Sequence, residues 1–153
     1  MAGPIVNFTE VPQAIQLALG PVFLLTGIAG MLNVMTGRLS RIIDRGRKLS
    51  DQPIPDDPKA LESFLLELHG LERRRHLASV AITACTLSAL LVCTVIAALF
   101  IEELVNAPFR GLIGVLFTGA TLALVIGLAY FLREVRLATA TIRIPIPRLP
   151  KQP

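Results

Sequence analysis

The chain is poor in charge, poor in sulfur and has no tryptophan. Only 17% of its 153 residues are Asp, Glu, Lys or Arg, where soluble domains carry about 25%. Its two cysteines and two histidines are too few for a disulfide framework or a common zinc finger. The sequence contains no hydrolase elbow, phosphate-binding loop, dinucleotide fingerprint or paired-histidine zinc motif. Its glycines are spread along apolar runs instead of grouped after a strand. No acid, base and nucleophile converge. Neither catalytic residues nor a cofactor nor a metal is therefore expected, and an enzyme is the least favoured class.

What the chain has is apolar length. Hydrophobic residues make up 53%, and the mean hydropathy is +0.65. The excess is gathered into three runs, 14–35, 77–101 and 111–132, none of which contains Asp, Glu, Lys or Arg. A hydrocarbon core of about 30 Å needs about 20 helical residues, and each run meets that. The apolar residues do not alternate with polar ones, and backbone in lipid must satisfy its own hydrogen bonds, so the runs read as helices. The first run is too long for a signal peptide, and the first basic residue, Arg38, follows it. It is expected to remain as a span. The expected fold is an all-α integral membrane protein with three transmembrane helices, forming a single membrane domain over 1–153.

Basic residues set the expected orientation. Nine of the fifteen lie in 37–76, five lie from Arg133 onward, and only Arg110 lies elsewhere. The positive-inside bias puts 37–76 and the C-terminus in the cytoplasm and the N-terminus outside. Anionic lipid headgroups are the expected counter-charge. Nucleic acid is not, because the basic segment is interleaved with seven acids. The first helix should run past Met35, since Leu39, Ile42, Ile43 and Leu49 keep helical spacing. Pro53, Pro55 and Pro58 then end it. Asp57 is a cap for a second helix with Pro58 at its first position. Leu61, Phe64, Leu65, Leu68 and Leu71 form its apolar stripe. The first and second helices are thus expected to extend into the cytoplasm as an antiparallel helical hairpin over about 37–76. A Pro-rich basic tail, 141–153, cannot continue a helix. Hairpin and tail are the two places where a protein partner could dock.

Several side chains stand out within the spans. Small residues recur every fourth position at Gly119, Ala123 and Gly127, and at Ala81, Cys85, Ala89 and Cys93. Such rows let membrane helices approach closely. One row is expected to pack within the subunit and the other between copies; the alternative is that both pack internally. Cys85 and Cys93 lie over ~12 Å apart along a helix, too far for a disulfide. Ser79, Thr83, Thr86 and Thr94 share one side of the second span. They either line a pore in a ring of subunits or bond back to their own carbonyls. Gln16 and Asn33 are amides of the first span. Asn33 is expected to make an interhelical hydrogen bond or to contact an ion or substrate. His69, Glu72 and His76 fall on one side of a helix, but the neighbouring arginines repel cations, so a solvated face is the reading.

The stretch Asn33 to Leu49 (NVMTGRLSRIIDRGRKL), Leu71-Glu-Arg-Arg-Arg75 and Phe131-Leu-Arg-Glu-Val-Arg-Leu-Ala138 resemble the bacterial membrane-protein family called domain of unknown function 2721. The resemblance runs from about Ile15 to Ala138 and implies a small bacterial inner-membrane protein with three spans. It carries no activity. Arg38, Arg41, Asp44 and Arg45 lie at the inner end of the first helix, Arg73 and Arg74 at that of the second, and Arg133, Glu134 and Arg136 at that of the third. Asp44 and Glu134 are expected to pair with arginines of neighbouring helices; the alternative is ordinary topology-setting charge. Two functions follow from these features. One is a homo-oligomeric channel or transport-like pore, slightly favoured; the other is an accessory or scaffold subunit of a larger membrane complex.

Overall fold

A computed structural model describes residues 11–105 and 110–140. The expected docking tail, 141–153, and the segment 106–109 between the second and third helices lie outside the described residues. Three α-helices follow one another: α1 (Val11–Ser50), α2 (Pro58–Val105) and α3 (Arg110–Ala140). All three are long and apolar enough to cross a membrane, with mean hydropathy of 1.9, 2.5 and 2.3 over their most apolar stretches. The chain is a multi-pass membrane protein by that measure. At about 1.5 Å per residue, α1 and α2 measure roughly 60 and 70 Å for their 40 and 48 residues. Both are about twice as long as a hydrocarbon core, so each projects well beyond it.

The helix ends follow local chemistry. α1 runs unbroken through Gly37 and Gly46 and stops at Ser50, before the prolines. Its last carbonyls are closed by Asp51 N–H on Arg47 at 3.0 Å and Gln52 N–H on Leu49 at 3.2 Å. At the start of α2 the Asp57 carboxylate accepts from Ala60 N–H at 3.2 Å, and the Asp57 carbonyl accepts from Leu61 N–H at 2.9 Å. That is an N-cap with proline at the first helical position.

α2 packs against both other helices. The buried positions have a seven-residue period. On α1 Ile28, Met35, Ile42 and Leu49 recur at that interval, with Ala18 buried ten residues before Ile28. Along α2 Ala78, Ala81, Cys85, Ser88, Val92 and Val95 follow in steps of three and four, with Leu77 buried beside them. On α3 Ala120, Gly127 and Glu134 keep the interval, and Ala138 is buried four residues further on. A sustained period of seven is that of left-handed, knobs-into-holes packing. The core joins Ile28 and Met35 of α1, Ala81, Cys85 and Val92 of α2, and Ala120 of α3. Large apolar side chains such as Phe23, Val115 and Val125 point away from it and are exposed, as lipid-facing residues are.

The small-residue rows meet inside the subunit. A Cβ added to Gly127 would stand 2.6 Å from Cys85 Sγ, 3.1 Å from the Ala81 carbonyl oxygen and 3.2 Å from the Cys85 nitrogen. Ala123 and Ala89 are half-buried, a Cβ added to Gly119 would come no nearer than 4.0 Å to a Leu91 methyl, and Cys93 is exposed. The four-residue rows drift off the seven-residue seam, so only their inner halves pack. A methyl at Gly127 meets backbone, which cannot move aside. Gly127→Ala is therefore expected to destabilise by about 1–3 kcal/mol despite alanine's higher helix propensity. Gly30, with nothing within 4 Å, should accept alanine without loss. Thermal unfolding in detergent measures both.

Candidate functional site

The seams extend past the apolar stretches, and there they carry charge. Continuing α1 from Met35 in steps of three and four gives Arg38, Ile42 and Arg45. Going back from Ala81 along α2 gives Ala78, Arg74, Leu71 and Glu67. On α3 the seam passes from Gly127 through Phe131 to Glu134 and Ala138. Side chains that face a core within the bilayer thus become an ionic cluster at the end where α1 passes into α2.

Glu134 is its centre. Its side chain has no exposed surface, and it lies between Arg38 of α1 and Arg74 of α2. Arg74 donates from Nε at 3.2 Å and from Nη2 at 3.0 Å to Glu134 Oε1. Arg38 Nε stands 3.2 Å from Oε2 but is not aligned for a hydrogen bond, so Oε2 meets a cation yet accepts no hydrogen bond among the described residues. The Arg38 guanidinium also sits 5.6 Å from the Phe131 ring centroid, a cation–π contact that holds its plane. Further along, Arg45 donates to Glu67 Oε1 from Nε at 2.9 Å and from Nη2 at 2.6 Å.

Beside this cluster α1, α2 and the end of α3 enclose an open cavity of about 390 Å³, lined by Arg38, Arg41, Arg45 and Arg74. Its remaining walls are Ile42, Leu71 and Ala138. Arg41 has no ion-pair partner among the described residues.

Other residues read from sequence stand elsewhere. Asp44 is exposed and, unlike Glu134, has no ion pair among the described residues; it lies two residues past Ile42 and so on the opposite side of α1. Arg73, Arg133 and Arg136 are exposed outside the cluster. Gln16 and Asn33 are exposed too. Asn33 is two residues, or roughly 200° of helix, from the buried Met35, so it faces away from its neighbours and makes no interhelical bond among the described residues. The Leu61–Leu71 stripe is also split, because the α2 seam runs through Phe64, Glu67 and Leu71 and leaves Leu65 and Leu68 exposed. Thr83, Thr86 and Thr94 each donate to the carbonyl four residues back, at 2.8–2.9 Å. Ser79 is exposed on the same face. His69 Nδ1 is 2.9 Å from the Leu65 carbonyl, and Glu72 receives Arg75 at 2.6 Å.

One polar contact escaped sequence reading. Ser88, fully buried, donates to the Ala120 carbonyl of α3 at 2.7 Å. Its signal is position on the seven-residue seam, which separates it from the other hydroxyls of α2.

These features define a three-helix membrane protein whose helices are tied at one end by a buried carboxylate and two arginines. A family model described as "Protein of unknown function (DUF2721)" matches residues 18–144. The chain belongs to that family, as the resemblance of its charged motifs implied. No curated protein and no solved structure matches the chain.

Replacing Glu134 by Gln leaves two arginines without their counter-charge. Breaking a buried pair costs about 3–5 kcal/mol; with Arg38 34% and Arg74 25% exposed, water takes up part of that, and a loss of about 2 kcal/mol is expected. Arg45→Gln removes a pair open to solvent and should cost under about 1 kcal/mol. Comparison of the two variants by thermal unfolding reads the difference.

Proposed function

We propose that the chain is a non-catalytic scaffold or accessory subunit of a larger complex in the bacterial inner membrane. Its N-terminus lies outside, its C-terminus in the cytoplasm, and α1 and α2 reach into the cytoplasm as an antiparallel helical hairpin that serves as the docking arm. The observation that carries this reading is apolar surface beyond the spans. Leu65, Leu66 and Leu68 are exposed on the projecting part of α2, Leu66 at 67%, ahead of the apolar run that begins at Leu77. Exposed leucines that no acyl chain covers favour a protein partner. The basic bias supports the orientation, and anionic headgroups are the counter-charge at that face.

The second reading is a homo-oligomeric channel or transport-like pore. It rests on the exposed face of Ser79, Thr83, Thr86 and Thr94 and on the open surface at Gly20, Gly27 and Gly30. The three threonine protons are already given to their own helix, which suits contact with lipid and ranks this reading second.

Purification in detergent followed by native mass spectrometry, with flux measured in liposomes, separates the two. The scaffold reading expects a second kind of subunit at fixed ratio. Leu66→Asp should lose that subunit without lowering the unfolding temperature, and liposomes should show no ion flux above empty controls. A homo-oligomer of four or more chains, with flux that falls in Thr86→Leu or Thr94→Leu, would overturn it.

A further inference from the structure

The geometry points to a binding site for a phosphate monoester dianion in the arginine-lined cavity between α1 and α2. Charge is the first support. Arg38, Arg41, Arg45 and Arg74 line it, and the carboxylates bound to them are Glu134 and Glu67. Four cations against two anions leave two positive charges. A phosphate monoester carries about −1.5 to −2 near neutral pH, so it matches that surplus. A monoanion would leave one cation uncovered.

Preorganisation is the second support. Glu134 holds Arg74 by two hydrogen bonds and Arg38 by an ion pair, and Phe131 lies under the Arg38 guanidinium. Nη1 of Arg74 and both terminal nitrogens of Arg38 have no hydrogen bond among the described residues. Planar guanidiniums with fixed orientation and spare donors suit the tetrahedral oxygens of phosphate. Glu134 is thus a positioning residue, and Arg41, which has no ion pair among the described residues, is the ligand-binding residue freest to respond. The apolar walls, Ile42, Leu71 and Ala138, lower the local dielectric and strengthen the attraction.

Size and level are the third support. A volume of about 390 Å³ is about a dozen times the ~30 Å³ share of one liquid water, so it admits a phosphate with a small organic group attached. The cavity also sits where the charge-free runs end, next to Met35, Leu77 and Leu132. Its near edge, at Arg38 and Arg74, therefore lies where a lipid headgroup would meet the spans. A lipid bearing a terminal phosphate and a soluble phosphate ester share this chemistry. The site does not depend on the scaffold reading.

The test uses the full chain in phosphatidylcholine nanodiscs. Phosphatidic acid is added in one arm and glycerol 3-phosphate in the other, with binding read by native mass spectrometry and thermal shift. Arg41→Gln is the variant, because Arg41 ties no helix to another among the described residues. Saturable binding of phosphatidic acid at one per chain, weakened roughly tenfold or more in Arg41→Gln, establishes the site with a lipid ligand. The same result with glycerol 3-phosphate alone establishes it with a soluble one. Binding of neither probe, or binding equal in wild type and Arg41→Gln, overturns the proposal.

Discussion

A carboxylate without solvent exposure is costly to bury unless cations meet it, and Glu134 is met from both sides. Arg38 comes from α1 and Arg74 from α2, so one side chain of α3 fixes the rotation and height of all three helices. Sliding any helix by one turn would move its charged group by about 5.4 Å. That displacement would take an arginine towards hydrocarbon or leave Glu134 unpaired. Charge at the border thereby sets the register that apolar packing alone leaves loose, because lipid tails are as apolar as leucine.

The register then determines which residues meet deeper in. With Glu134 in place, Gly127 stands against Ala81 and Cys85, and Ala120 stands opposite Ser88. Both contacts need small side chains or a hydrogen bond at that level, and both are there. The same seam, carried the other way, places Arg45 opposite Glu67 and opens the arginine-lined cavity beside Ile42 and Leu71. Core, ionic cluster and cavity are successive levels of one seven-residue pattern.

Much of this was legible in the sequence. The three spans follow from charge-free runs longer than a bilayer requires, and the α1–α2 break follows from three prolines and Asp57. Sequence reading marks Asp44 and Glu134 alike as partners for neighbouring arginines; Glu134 lies on the seam and pairs, whereas Asp44, on the opposite side of α1, has no ion pair among the described residues. What was not legible follows from the solvent. Within lipid both sides of a helix are apolar, so hydrophobicity does not reveal which side packs. Asn33 looked like an interhelical donor and Ser88 drew no notice, yet Met35 and Ser88 are the ones on the seam. The four-residue rows of small side chains drew attention to spacing, but the operative spacing is seven. Leu65 and Leu68 share a helical stripe with Leu61 and Leu71 in sequence but lie off the seven-residue seam and are exposed.

The central claim is that Glu134 and the arginines act as one unit. A double-mutant cycle on Arg74→Gln and Glu134→Gln, read by unfolding in detergent, tests it most directly. The account predicts that the double variant is more stable than the two single losses added together, with a coupling of at least about 1 kcal/mol, as expected for residues in one ionic network. Losses that simply add would contradict it, and the helices would then owe their register to packing alone.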